Sequence, residues 1–194
     1  TVIYSRRREI LEGENLREEF KRMFELVIDE LLNKYTDPKR YPEDWNWQGL
    51  KREFREIFIV GFRFSDEDIQ KLTVDTLREK LMEVVLYWYG QKEQRLGEEV
   101  MRNLERLVLL VTIDSLWKDH LYFMDQLKEG ISLRAYGQKD PLIEYKREGY
   151  EAFLKLLDDM DREAVKRVFR AELAVQKERG QGIFVPSREE HAEV

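Results

Sequence analysis

The chain has 194 residues, with 34 Lys and Arg against 40 Asp and Glu, a net charge of −6, and no cysteine. Disulfides, thiol catalysis and Cys-built zinc sites are excluded, and the acidic balance argues against nucleic acid, whose phosphates are bound by basic surfaces. Two distant histidines, His120 and His191, make a His-rich metal or catalytic centre an unpromising reading.

Residues 1–12 carry Val2, Ile3, Ile10 and Leu11 at helical spacing and read as the end of a helix that Gly13 stops. The opening TVIYSRRREI has no apolar core of a signal peptide and no initiator Met, so the chain reads as a piece of a longer one. Asn15 stands three residues before Glu18, the spacing of a capping box. A helix follows, with Leu16, Phe20, Met23, Phe24, Val27, Leu31 and Leu32 on one face. Thr36–Trp47, with Pro38 and Pro42, is a loop whose Trp45 and Trp47 should fold back onto a neighbouring helix. Leu50, Phe54 and Ile57 mark a short helix. The apolar stretch 58–64 reads as a helix end or turn, since an isolated strand has nothing to pair with. Ser65 with Asp68 gives another cap, and Leu77, Leu81, Val84, Val85 and Trp88 mark the next helix, with Gly97 as a joint after it.

From Glu98 to about Lys128 there is neither Gly nor Pro, which predicts a single long helix ended by Gly130. Its centre, Leu107–Ile113, is apolar all round and should be buried on several sides; no run reaches the length of a membrane span. After a loop at 130–141, Asp140 and Pro141 suit the start of a second long helix, whose apolar pattern runs from Leu142 to Leu173 with Gly149 inside it. Gly180, Gly182 and Pro186 mark 176–194 as a flexible tail. The predicted architecture is all-α: a long antiparallel helical hairpin plus a group of shorter helices.

No P-loop, G-x-G-x-x-G, G-x-S-x-G or H-E-x-x-H pattern occurs. Asp114, Asp119 and His120 could form an acid–base or metal group, but Asp114 and Lys118 at i,i+4 are simpler as a surface ion pair. Trp117 is either core packing or an anchor against another domain. Arg6, Arg7 and Arg8 are most simply a solvated face or partners for Asp and Glu. The loop Gly130–Pro141 is the most informative stretch, because Leu133, Arg134, Tyr136, Gln138 and Lys139 lie between two glycines at the far end of the hairpin. An amphipathic ring, an aliphatic side chain and two cations there could grip an extended polypeptide without reading its sequence. Packing of the loop against another domain is the alternative.

The stretch 114–148, DSLWKDHLYFMDQLKEGISLRAYGQKDPLIEYKRE, closely resembles the C-terminal helical region of the SecA family of preprotein-translocase ATPases. VIYSRRREILEG is similar to the end of that family's long scaffold helix, and the likeness spans roughly residues 2–175. It implies that residues 1–14 end a scaffold helix, 15–97 form a helical wing domain, and 98–175 form the helical scaffold, with the hairpin around the loop 130–141 as a two-helix finger. The resemblance also implies a role for each site. Leu133, Arg134, Tyr136, Gln138 and Lys139 would meet the unfolded preprotein and the SecYEG channel, with Tyr136 at the tip. Trp117 and Lys118 would face the ATPase motor domains, whose ATP hydrolysis this region restrains. The chain alone would be no enzyme and hold no cofactor or metal. ATP and Mg would belong to the parent protein, which is cytoplasmic and peripheral at the inner face of the plasma membrane.

Departures from the family pattern are local. Arg134-Ala135-Tyr136-Gly137-Gln138 stands where Arg-Gly-Tyr-Ala-Gln is usual, and Ser132 where His is common. The Cys-rich zinc tail and the nucleotide-binding and preprotein cross-linking domains are not in this chain. A helical interaction module that binds folded partners or self-associates into a homo-oligomer is the alternative function, and a metal-assisted hydrolase built on Asp114, Asp119 and His120 a third.

Overall fold

A computed structural model describes residues 2–13, 15–134, 140–174 and 183–185. Its elements in chain order are α1 (Val2–Glu12), α2 (Leu16–Tyr35), α3 (Trp47–Phe58), the one-turn α4 (Asp66–Ile69), α5 (Val74–Leu96), α6 (Glu98–Arg134), α7 (Pro141–Arg170), β1 (Glu172–Ala174) and β2 (Ile183–Val185). The all-α reading holds, with one addition: β1 and β2 pair antiparallel, Glu172 opposite Val185.

The frame is the α6–α7 hairpin. His120 packs on Phe153 and Met124 lies over Gly149, so the two helices run in opposite directions along one another. α6 is a single helix of 37 residues, about 55 Å long at 1.5 Å per residue. It continues through Gly130, which was expected to end it. A Cβ at Gly130 would meet nothing within 4 Å, and Ile131 beyond it is buried, so the last turn is fastened by packing that the sequence does not display. α7 stops three residues earlier than its apolar pattern, at Arg170, with Ala171 extended.

At Gly149 a side chain would place its Cβ 2.8 Å from Met124 Cε. The glycine therefore has a packing reason that offsets its roughly 1 kcal/mol helix penalty. It lets α6 and α7 approach closely. Gly97, at φ +85°, makes the turn between α5 and α6, a conformation an L side chain resists.

α2, α3 and α5 pack on the base of the hairpin, and α1 lies along α6. One continuous apolar core joins them, running from Ile3 and Ile10 through Phe20, Phe24, Phe54 and Leu81 to Val108, Met160 and Val168. Phe24 is its centre, with the rings of Phe20, Phe58, Tyr89 and Phe169 all within 6.3 Å. The tryptophan loop closes as predicted. Trp45 is buried and donates its indole N–H to Asp37 O at 3.0 Å, and Trp47 donates to Pro42 O at 2.7 Å. Ser65 and Asp140 cap α4 and α7 through their side chains, and Thr73 and Thr76 form a reciprocal cap on α5. Asn15 does not cap α2: its backbone lies at φ −124°, ψ 38°, outside the extended geometry that aims the side chain at the helix, and it makes no such bond.

Buried charge ties the short helices to the last turns of α7. Glu53 accepts from Lys34, Tyr35 and Arg162, and Arg162 also meets Glu30 at 2.9 Å. Burial pushes the Glu53 carboxyl up, but those three donors outweigh it and bring it down to about 2 from 4.5. Lys92 is buried against the end of α7 and donates to the carbonyls of Val168, Phe169 and Ala171. That places a cation at a helix C-terminus, where the macrodipole and the orphan carbonyls favour it. Between α5 and α6, Tyr89 donates to the fully buried Glu105. Burial raises the Glu105 carboxyl, against the pull of Tyr89 and Arg102.

Two outcomes follow from this packing. A Cβ on Gly49 would lie 2.4 Å from Tyr35 Cε1, a ring that cannot yield as a methionine can. Gly49→Ala is therefore expected to destabilise by about 1–3 kcal/mol in denaturant unfolding, although alanine is the better helix former. Because the folded pKa of Glu53 lies below its unfolded value, its stabilisation is complete above pH 4.5 and lost as pH falls towards about 2. Glu53→Gln should remove that part of the acid transition and cost about 3 kcal/mol near neutral pH, read as the difference between the two pH–stability curves.

Candidate functional site

The candidate site is the far end of the hairpin and the shaft that carries it. α6 delivers Leu133 and Arg134 in its last turn, and α7 restarts at Pro141 under the Asp140 cap, whose carboxylate accepts from Leu142 N at 2.8 Å. Tyr136, Gln138 and Lys139 lie outside the described residues, and for Leu133 and Arg134 the backbone alone is described. Leu127 and Ile131 are buried between the helices close to the tip. Apolar burial thus continues along α6 almost to the turn.

The outer faces of this distal shaft are unusually apolar. Leu121, Tyr122 and Phe123 on α6 and Leu142, Ile143, Tyr150 and Leu154 on α7 are all exposed. Single exposed apolar residues are ordinary, but seven along this part of the shaft are more than the proximal half, packed against neighbours, shows.

Trp117 is half-buried and packs against the core. Its ring stacks on His120 at 5.4 Å and 28°, and His120 in turn meets Phe153 at 5.9 Å. Lys118 beside it is exposed and has no ion-pair partner among the described residues. The expected Asp114–Lys118 pair does not form, because Arg7 of α1 takes Asp114 instead. Arg6 bonds Asp161, and Arg8 bonds Glu12 at 2.8 Å, so the basic run is divided among three carboxylates.

A groove between α6 and α7 is lined by Leu116, Asp119, His120, Phe123, Glu151 and Lys155 among others. Burial holds the His120 imidazole below its usual value, which favours the neutral ring that stacks on Trp117. Among the described residues, no three His, Asp or Glu side chains are grouped to hold a metal ion. Asp114 is turned towards α1, and His120 is engaged with aromatic rings, so the proposed acid–base trio is not brought together. No described helix is long and apolar enough to cross a membrane.

Sequence reading found the hairpin, but missed Glu53 and Lys92 as fastenings. A signal for Glu53 was present: it is an acidic residue on the same helical face as Leu50, Phe54 and Ile57. Lys92 carried no such mark, since its role depends on where α7 ends.

The SecA wing and scaffold domain family matches residues 1–172. The protein translocase subunit SecA of Caldicellulosiruptor saccharolyticus is 42% identical over 170 residues, covering 88% of this chain and 20% of the relative. That of Acetivibrio thermocellus is 38% identical over 194 residues, covering 99% of the chain and 20% of the relative. The SecA 1 subunit of Thermobifida fusca is 40% identical over 182 residues, covering 91% of the chain and 19% of the relative. The chain thus spans about a fifth of the length of these relatives. A match along almost the whole chain, on a hairpin with a half-buried Trp117 in its shaft, means that the chain belongs to the SecA wing and scaffold domain family.

Proposed function

We propose that this chain is the wing-and-scaffold part of a protein-translocating motor, and that its hairpin is the element that meets the moving polypeptide. In this reading Leu133, Arg134, Tyr136, Gln138 and Lys139 contact the unfolded preprotein and the mouth of the SecYEG channel. Trp117 and Lys118 face the motor domains, which bind ATP and Mg and do the hydrolysis. The chain itself carries no catalytic residue. The motor would work in the cytoplasm, at the inner face of the plasma membrane.

The observation that carries the reading is the uninterrupted α6, packed on α7 at His120–Phe153 and Met124–Gly149. Packed helices move as rigid bodies, so displacement at the base of such a pair arrives at its end without being absorbed on the way. A tyrosine there has the right chemistry for cargo of any sequence. Its ring packs on whatever side chain passes, while its hydroxyl, with Gln138, bonds to backbone. Trp117 suits a domain contact because it is neither sealed in the core nor free, and the exposed Lys118 stands next to it.

A second reading, a helical module that binds folded partners or itself, draws support from the apolar residues around the distal shaft. The two are separated by a photo-reactive residue at position 136 in a translocase that carries this chain as its wing and scaffold and is stalled on a preprotein. Capture of the preprotein or the channel is expected. Capture solely of folded proteins or a second copy would overturn the first reading in favour of the second. The chain alone should show no ATP turnover above background in a phosphate-release assay, and clear turnover would contradict the assignment of hydrolysis to other domains.

A further inference from the structure

Glu105 lies on α6, two turns past the Gly97 joint, and its side chain is wholly buried. Its Oε1 accepts from the Tyr89 hydroxyl of α5 and lies 3.2 Å from Arg102 Nη2. Its Oε2 has no hydrogen-bond donor among the described residues. The charged and titratable groups that face it are Tyr89 and Glu93 of α5, Arg102 of its own helix and Arg17 of α2.

The two cations of this cluster are committed to Glu93. Arg102 Nη2 donates to Glu93 Oε1, and Arg17 Nη2 stands 3.3 Å from Glu93 Oε2. Arg102 Nε is buried with no acceptor, so the guanidinium is aimed at Glu93 and not squarely at Glu105. An ionised Glu105 would therefore hold one carboxylate oxygen away from water with nothing to bond, at the desolvation cost of a charge. A neutral carboxyl still pairs with Tyr89 and leaves only uncharged atoms unsatisfied, at a far smaller cost. Burial and the nearness of Glu105 both push the Tyr89 phenol up, so Tyr89 keeps its proton and Glu105 is the member of the pair that titrates.

The turn beside this pair has little of its own to hold it. Gly97 sits at φ +85°, and a Cβ there would meet nothing within 4 Å. We propose that Glu105 is a proton-operated latch on the α5–α6 joint: protonated, it closes on Tyr89; ionised, it draws Arg102 off Glu93 or admits water, and the joint loosens. Burial, opposed by Tyr89 and Arg102, raises the Glu105 carboxyl above its ordinary value of 4.5, in agreement with that geometry. The latch thus contributes fully below pH 4.5 and is lost as pH rises through the higher folded value, the reverse of Glu53. It stands apart from the translocase reading and does not depend on it.

The test uses the whole chain with its Glu105→Gln and Arg102→Gln variants. The infrared difference between wild type and Glu105→Gln should contain a carboxylic-acid C=O band at about pH 6, where exposed carboxylates are ionised. The band should disappear as pH is raised, and Arg102→Gln should carry it to higher pH by removing the nearest cation. Over the same range the urea midpoint of the wild type should fall relative to that of Glu105→Gln, any fixed cost of the amide cancelling in the pH dependence. Amide hydrogen exchange across residues 90–105, corrected for the intrinsic effect of pH, should quicken by roughly threefold or more in the wild type and stay level in Glu105→Gln. Absence of the band at about pH 6, a band indifferent to Arg102→Gln, a midpoint difference constant with pH, or exchange with the same pH dependence in both proteins would each overturn the proposal.

Discussion

The last turns of α7 are where charge and apolar packing act on the same few residues, and the remaining architecture depends on that joint. Val165 and Val168 are buried among the rings around Phe24, while Arg162 reaches Glu53 and Glu30, Lys166 reaches Glu56, and Arg170 donates to the backbone of Glu56. Lys92 closes the end from the other side. Three short helices thus bind one helix end, chiefly through the buried Glu53 and Lys92, since solvent screening leaves the exposed pairs to Glu30 and Glu56 with little to contribute. If that joint were loose, α2, α3 and α5 would hold to the hairpin only through α6, by the Tyr89–Glu105 bond and the core around Val108.

The distal half of the hairpin is built on a different principle. There is no buried charge there among the described residues. Leu127 and Ile131 fill the seam, and the missing side chain at Gly149 sets the separation. Ionic groups along this shaft are mostly spent within their own helix, as where Arg147 pairs with Glu144 at 2.7 Å and Glu151 at 3.3 Å and Lys155 pairs with Asp159. Such pairs stiffen a helix slightly without binding it to anything else. The outer faces are left apolar and open, which suits an element whose contacts come from outside this chain.

Most of the fold could be read from spacing. The 3.6-residue rhythm of α2 and α7, the Gly-free run of α6, the Asp140–Pro141 start and the Gly97 joint are local features, and local features are visible in a sequence. What could not be read depends on partners distant in the chain. Gly130 looks like a stop until Ile131 is seen to be buried, and Leu173 continues an apolar pattern that Lys92 helps to end. Asp114 looks paired with Lys118 until α1 brings Arg7 beside it. The site divides in the same way. The stacking of Trp117 on His120 and the contact of His120 with Phe153 depend on α7 lying opposite, so neither is visible in the sequence.

A rod fixed firmly at one end and unsupported at the other is a cantilever, and its deflection under load rises with the cube of its free length. Here the fixed end is the joint around Arg162 and Lys92, and the free span begins where the short helices stop covering α6 and α7. Adding one helical turn to both arms beyond that joint would soften the end far more than any single side-chain change along the seam. The hairpin's length and its clamp are therefore one mechanical property, set jointly by residues that lie far apart.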